Sequence, residues 1–488
     1  MSVLGNLKPA AIWKHFEEMC AIPHPSKYED AMRDYVINFA KKNNLEYEVD
    51  EVKNVVIRKP ATKGMEDRMG VILQGHLDMV PQANSDIKHD FLKDPIKPRI
   101  DGDWVKATGT TLGADNGIGV CSALAVLEAT DLVHGPIEAL FTIDEETGMT
   151  GAFGLKPGYL KGDILMNLDS EDEGELFIGC AGGTNATAEF NYEKTGAPAN
   201  SSAYKVTVKG LKGGHSGCDI HLGRGNSNKL LFRFLRHAER SFGLRLAAVD
   251  GGTLRNAIPR EAFAIVAVPT AKAKEFEAGL KKYDETVKKE FATADPGLEV
   301  SLEKTNMPDG FFDEKTQRNL INCIYALPNN VIRMSNDMPG LVETSTNLAI
   351  VRSDADAKRI DVMCLLRSSV DSGKEALEMK MESVFELAGA SKILFDGQYP
   401  GWKPNPKSPI LKVMVEGYKK QFGTEPKIAA IHAGLECGLI GGVFPNLDMI
   451  SFGPTIRNPH SPDEMCEIST VGKFWDYLLE TLKNVPKK

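Results

Sequence analysis

Apolar residues recur at helical spacing through Ala10–Cys20 and again through Tyr28–Lys42, the rhythm of a helix with one buried face. Short runs dense in Val, Ile, Leu and Phe follow: Asn54–Arg58, Gly70–Gly75, Ile137–Ile143 and Asp163–Leu168. Unbroken apolar runs of this length read as strands buried on both faces. Gly117–Ala129, rich in Ala, Val and Leu, reads as a buried helix between two of them. Such strands alternating with helices predict an α/β fold, with a mostly parallel sheet covered on both faces.

The rhythm breaks twice. One break is Gly179-Cys180-Ala181-Gly182-Gly183-Thr184, followed by the small polar stretch Gly196–Ser202. The other is Asp396–Pro409, with Gly397, Pro400, Gly401, Pro404, Pro406 and Pro409. Stretches like these mark loops or boundaries. Between them, strand-like Tyr204–Val208, Ala262–Val268 and Ile360–Leu366 alternate with helix-like Ser227–Phe242 and Ala271–Phe291, an α+β pattern. After Pro409 the first rhythm returns in Ile410–Phe422, Ile428–Ile431, Met449–Phe452 and a last helix over Thr470–Leu482. The predicted organisation is one α/β domain built from residues 1–185 and 396–488, interrupted by an inserted α+β domain of residues 186–395.

Composition narrows the function. A chain of 488 residues exceeds one ordinary core, and 42% hydrophobic with 26% charged residues excludes a disordered or fibrous chain. The 58 Lys and Arg against 67 Asp and Glu give a formal net charge of −9, which argues against nucleic-acid or anionic-membrane partners. No apolar run reaches the roughly 18 residues of a spanning helix. The start Met1-Ser2-Val3-Leu4-Gly5 lacks the basic and apolar regions of a signal peptide, and the eight cysteines form no C-x-x-C pair. The expectation is a cytoplasmic protein with reduced thiols.

The chemistry collects at the ends of the strand-like runs. His76-Leu77-Asp78 follows the run ending at Gly75. Gly113-Ala114-Asp115-Asn116-Gly117 opens the buried helix. Asp144-Glu145-Glu146-Thr147-Gly148 follows Ile143, Asp169 follows Leu168, and Pro459-His460-Ser461 comes after the Met449–Phe452 run. In open α/β sheets ligands gather where the carboxyl ends of the strands meet. Two imidazoles and three carboxylates (His76, Asp115, Glu146, Asp169 and His460) suit Zn²⁺, Mn²⁺ or Co²⁺ better than oxygen-seeking Ca²⁺ or Mg²⁺. They also suit a pair of ions if one carboxylate bridges, and Asp115, on a Gly-flanked turn, is the middle candidate. Asp78 is placed to accept the other imidazole N–H of His76. Glu145, beside a ligand, is placed to deprotonate an activated water and return the proton to a leaving amine. No H-E-x-x-H helix, phosphate-binding loop or G-x-S-x-G nucleophile elbow is present.

These blocks resemble the signatures of the di-zinc exopeptidase family that includes carnosinase, peptidase T, aminoacylase and carboxypeptidase G. They are Gln74–Val80, Gly113–Gly119, Asp144–Gly148 and Pro459–Glu464, joined by Lys209–Gly217, Gly251–Arg260 and His432–Gly438. Asp144 departs from the pattern, standing where the branch of the family that the chain most resembles carries the Thr of a T-E-E block. The resemblance implies a catalytic three-layer α/β/α domain with an inserted α+β lid that mediates homodimerisation. It implies two divalent ions, Zn²⁺ or else Co²⁺ or Mn²⁺, with His76 and Asp169 on one, Glu146 and His460 on the other, and Asp115 between them. It implies Glu145 as general base and Asp78 as the carboxylate that orients His76. It gives His215 an oxyanion contact and Arg367 a clamp on the substrate carboxylate; Asn256, between Gly251-Gly252 and Pro259, is either a turn residue or a substrate-contacting amide. Glu436 is a further candidate, as an anion for the substrate's α-amine. The implied activity is hydrolysis of short unblocked dipeptides, Xaa-His among them. An N-acyl amino-acid amidohydrolase with the same ions, or a non-catalytic peptide-binding scaffold, stands as the alternative.

Overall fold

The computed structural model describes residues 2–488. The chain forms two compact units: Met1–Cys180 with Trp402–Ala430 and Leu435–Lys488, and Ala181–Gly401 with Ile431–Gly434.

The first unit is a mixed α/β structure around an eight-stranded sheet. Its strands run in the order Glu46–Val49, Val55–Lys59, Ile137–Thr142, Val71–His76, Ile164–Asn167, Asp448–Ser451, Glu175–Cys180 and Lys427–Ile431. The four in the middle, from Ile137–Thr142 to Asp448–Ser451, are mutually parallel. Glu46–Val49 and Val55–Lys59 pair antiparallel with each other and with the sheet, as does Glu175–Cys180 on the other side. The sheet is therefore parallel only at its centre, whereas the sequence pattern predicts a mostly parallel one. Residues 50–54 make a hairpin turn, which fixes the first two strands antiparallel to each other, since a parallel pair needs a crossover of a dozen residues or more. All four parallel strands end on the same edge of the sheet. The Ala114–Glu128 helix is buried from Ala114 to Leu127, which is why its sequence shows no polar face.

The second unit is a nine-stranded antiparallel sheet. Its order is Glu299–Lys304, Ser201–Lys209, Ala262–Pro269, Arg245–Gly251, Val342–Asp354, Arg359–Ser368, Gly182–Asn191 and Lys392–Tyr399, with Asn330–Met334 also on Val342–Asp354. Helices Ser227–Phe242, Ala273–Glu290, Glu314–Ala326 and Asp371–Leu387 accompany it, and Phe190, Phe232, Phe234, Phe276, Phe312 and Phe385 sit in one core. The Ser227–Phe242 helix has its predicted bounds because both ends are capped. The Asn226 side chain accepts from Lys229 N–H, and Gly243 takes the left-handed conformation at φ 68°.

The main limits of the second unit, Ala181 and Gly401, fall within the two composition breaks, a few residues outside the expected 186–395, and the short segment Ile431–Gly434 joins it from further along the chain. Gly182-Gly183 reads as a loop but belongs to the ten-residue strand Gly182–Asn191. Asp396–Tyr399 completes the edge strand beside it. Gly182 and Gly183 serve close packing against Tyr399–Gly401 rather than a turn.

Candidate active site

Each parallel strand delivers one part of a cluster in the first unit. His76 is the last residue of its strand, and Asp169 lies just beyond Ile164–Asn167. Glu145 and Glu146 open a short helical turn after Ile137–Thr142, and His460 stands in the loop after Asp448–Ser451. Asp115 enters from the start of the buried helix in a non-helical conformation (φ −82°, ψ 107°), with a cis peptide to Asn116. Its Oδ1 lies 3.2 Å from His76 Nε2, and its Oδ2 lies 3.1 Å from His460 Nε2. Asp169 Oδ1 stands 3.5 Å from His76 Nε2, and Glu146 Oε2 stands 2.9 Å from His460 Nε2. The five residues thus form two groups that share Asp115, and each group is compact enough to hold one ion.

The donor set passes a test on its own atoms. Buried polar atoms are nearly always paired, yet Glu146 Oε1 and Asp169 Oδ1 are buried without a hydrogen-bond partner. Unpaired carboxylate oxygens converging with two imidazoles are the arrangement that a pair of borderline-soft dications satisfies.

The surrounding residues fix this geometry. His76 Nδ1 faces Asp78 at 3.0 Å from its carbonyl and 3.3 Å from Oδ1. The same Asp78 carboxylate accepts the N–H groups of Glu145 (3.0 Å) and Glu146 (3.2 Å) and the Ser26 hydroxyl (2.8 Å), so one side chain ties His76 to the acidic pair. Asn116 accepts from His76 N–H and donates to Leu168 C=O at 2.7 Å, joining three of the contributing segments. Asp144 binds the hydroxyls of Thr147 and Thr150 and donates its N–H to Glu29. Its carboxylate is thereby engaged within its own turn.

Glu464 stands out in the sequence only as the end of the Pro459–Glu464 block, and the structure gives it a role. It is 2% exposed, and its two oxygens accept four backbone N–H groups, from Leu112, Gly113, Ala114 and Asp115, at 2.7 to 3.2 Å. One carboxylate from the His460 loop therefore caps the helix start that carries Asp115. No spacing rule flags this, because the partners are main-chain groups. Glu171, which reads as part of a solvated acidic run, is half-buried instead. Burial, with Asp115 and Asp169 nearby, pushes it up to about 8.

Charge is concentrated here. Burial alone would push His76 down, but Asp169, Asp115 and Asp78 outweigh it and hold it well above its usual value. Hydrogen bonds donated to Asp115 and Glu146 lift His460 to about 11. Burial raises Asp169 to about 7. Burial also raises Glu145 well above the carboxylate range, helped by Asp169, Glu436 and Glu146. Asp78 moves the other way, to about 2, because His76 and the backbone donors outweigh its burial. So much negative charge in one buried place calls for added positive charge.

Glu436 is 1% exposed; its Oε2 accepts from Gln74 (2.6 Å) and Thr142 (2.9 Å), and its Oε1 has no partner. The remaining candidates belong to the second unit. His215 Nδ1 accepts N–H from Gly217 (3.2 Å) and Cys218 (3.0 Å), which puts the ring proton on Nε2. Burial, then the Arg367 charge, lowers its pKa, so the ring stays neutral. Asn256 is exposed, and its carbonyl accepts Ser216 N–H at 2.8 Å, next to His215. Arg367 is buried; its NH1 donates to the Tyr399 hydroxyl, and its Nε has no partner.

The model of Peptidase family M20/M25/M40 matches residues 72–484. The chain is 48% identical over 488 residues to the cytosol non-specific dipeptidase of Escherichia coli (strain K12), with 100% of both chains covered. It is similar to the crystal structure of aminoacylhistidine dipeptidase from Vibrio alginolyticus, with a TM-score of 0.94 at 49% identity, covering 99% of this chain and 98% of that one. An aminopeptidase PepT structure from Bacillus cereus, at 15% identity and a TM-score of 0.58 over 98% of this chain and 99% of that one, shares the fold alone.

Proposed function

The chain belongs to Peptidase family M20/M25/M40, and from that premise we propose that it is a metal-dependent dipeptidase acting on short unblocked dipeptides, Xaa-His among them. The observation that carries the reading is Asp115, which offers one oxygen to the His76–Asp169 group and the other to the Glu146–His460 group. His76 and Asp169 would hold one ion, Glu146 and His460 the second, and Asp115 both; Zn²⁺ fits this set, as do Co²⁺ and Mn²⁺. Bound there, the ions supply positive charge that polarises the scissile carbonyl and makes water more acidic.

The chain's own groups carry the proton chemistry and the binding. Glu145 takes the proton of the attacking water on its carboxylate and delivers it to the departing amine. Asp78 keeps the His76 ring and the Glu145 backbone in register through the contacts described above. His215, neutral with its proton on Nε2, is suited to donate to a developing oxyanion. Arg367, with an unpartnered Nε, takes the substrate's carboxylate, a task its planar fork suits. Asn256 has a free amide for the peptide backbone. Glu436, fully buried, offers a single unpartnered oxygen to a cationic group, the α-ammonium being the candidate. We assign the second unit the roles of lid and homodimer contact, and the protein a cytoplasmic setting; among the described residues no helix is long and apolar enough to cross a membrane.

The test is turnover of a dipeptide panel that includes β-Ala-His and N-acetylated controls. The expected result is hydrolysis of the free dipeptides and none of the blocked ones. A preference for the blocked substrates would replace this reading with an amidohydrolase, and no turnover of either would leave a binding scaffold.

A further inference from the structure

Arg367 sits on one rung of the antiparallel sheet of the second unit. Across that rung the paired residues are Ser345, Arg367, Gly183 and Tyr399, each on a neighbouring strand. Directly opposed residues of antiparallel strands present their side chains on the same face. Gly183 contributes none, and Tyr399 fills the gap. A Cβ on Gly183 would come within 2.6 Å of the Tyr399 ring and hydroxyl, and one on Gly434 within 3.1 Å of the ring. The ring is thus seated between two glycines, and its hydroxyl accepts from Arg367 NH1 at 3.1 Å. The Tyr399 carbonyl is held as well, by the buried Lys374 ammonium at 2.6 Å. At the other end of the rung, Ser345 Oγ meets His432 Nε2 at 2.7 Å. Burial, then the Arg367 charge, pushes His432 down to about 3, so it stands there neutral.

A long guanidinium that donates to a hydroxyl rather than a carboxylate keeps its charge uncompensated while its orientation is fixed. An anionic partner in place of Tyr399 would use up that charge, and no partner would leave the side chain its rotamer freedom. We propose that Tyr399, admitted by Gly183, is a positioning residue that presents Arg367 to the free carboxylate of the substrate and so sets the preference for peptides with an unblocked C-terminus. This rests on the assignment of Arg367 as the carboxylate clamp.

The experiment compares Tyr399→Phe, which removes only the hydroxyl and keeps the ring between its glycines, with Arg367→Ala. The readout is kcat and KM on a dipeptide and on its C-terminal amide. Loss of one hydrogen bond to a charged group predicts that Tyr399→Phe lowers the acid-over-amide ratio of kcat/KM about tenfold. The change should appear chiefly as a higher KM for the acid. Arg367→Ala should lower the same ratio further. A wild-type ratio in Tyr399→Phe with a reduced one in Arg367→Ala would overturn the positioning role and keep the clamp. Equal losses on acid and amide in Tyr399→Phe would overturn it too, as a purely structural effect. A wild-type ratio in Arg367→Ala would overturn the clamp, and the inference with it.

Discussion

Asp115 is where the two halves of the centre meet, and its position follows from its neighbours. Gly113, at φ 73°, turns the chain into the helix, while Asn116 and Glu464 hold the flanking backbone. The residues around it divide by how they could be found. His76, Glu146, Asp169 and His460 are legible from the sequence because each follows an apolar run that has to be a strand. Glu464 and Tyr399 are not, because one acts on main-chain N–H groups and the other through a rung that exists only once four strands are paired. At this scale the proposed mechanism turns on Glu145. Glu145→Gln keeps the side chain's size and removes the proposed base. It should lower kcat by about two to four orders of magnitude, the usual contribution of a general base. Bound metal, measured by elemental analysis, should stay at the wild-type level. Retained turnover would remove Glu145 from the proton path.

At the scale of elements, the site depends on loops that are pinned rather than on loops that are merely close. The His460 loop reaches the helix start at Leu112–Asp115 through the single carboxylate of Glu464. Glu464→Ala would leave buried N–H donors without an acceptor, at a cost of about 3 kcal/mol. Chemical denaturation should report that loss, and chelator competition should report weaker metal binding, with Glu464→Gln falling between. Wild-type stability in Glu464→Ala would mean that the loop is held by other means. The elements themselves were largely readable: Ala10–Cys20 and Ser227–Phe242 appear with their predicted ends. Gly182-Gly183 reads as a loop because glycine carries two meanings. In Gly113 it makes a turn, whereas in Gly182-Gly183 it lets a neighbouring strand and the Tyr399 ring lie close. Local composition does not distinguish these, because the second meaning depends on a strand some two hundred residues away.

For the whole molecule, the alternation of apolar runs and helices revealed a parallel sheet and an interruption in it, but not the sheet's antiparallel margins. The acidic balance of the chain, −9 overall, includes the buried carboxylates at the ends of the parallel strands. The raised pKa values of Asp169 and Glu145, with the unpartnered oxygens of Asp169 and Glu146, are a local demand for cations that the polypeptide does not meet by itself. That demand is the central claim, and one titration tests it most directly. Protein dialysed against a chelator is assayed for dipeptide hydrolysis as Zn²⁺ is returned in measured equivalents. The expected result is an inactive dialysed protein whose activity rises with added metal and levels off at two ions per chain. Full hydrolysis by metal-free protein would contradict it.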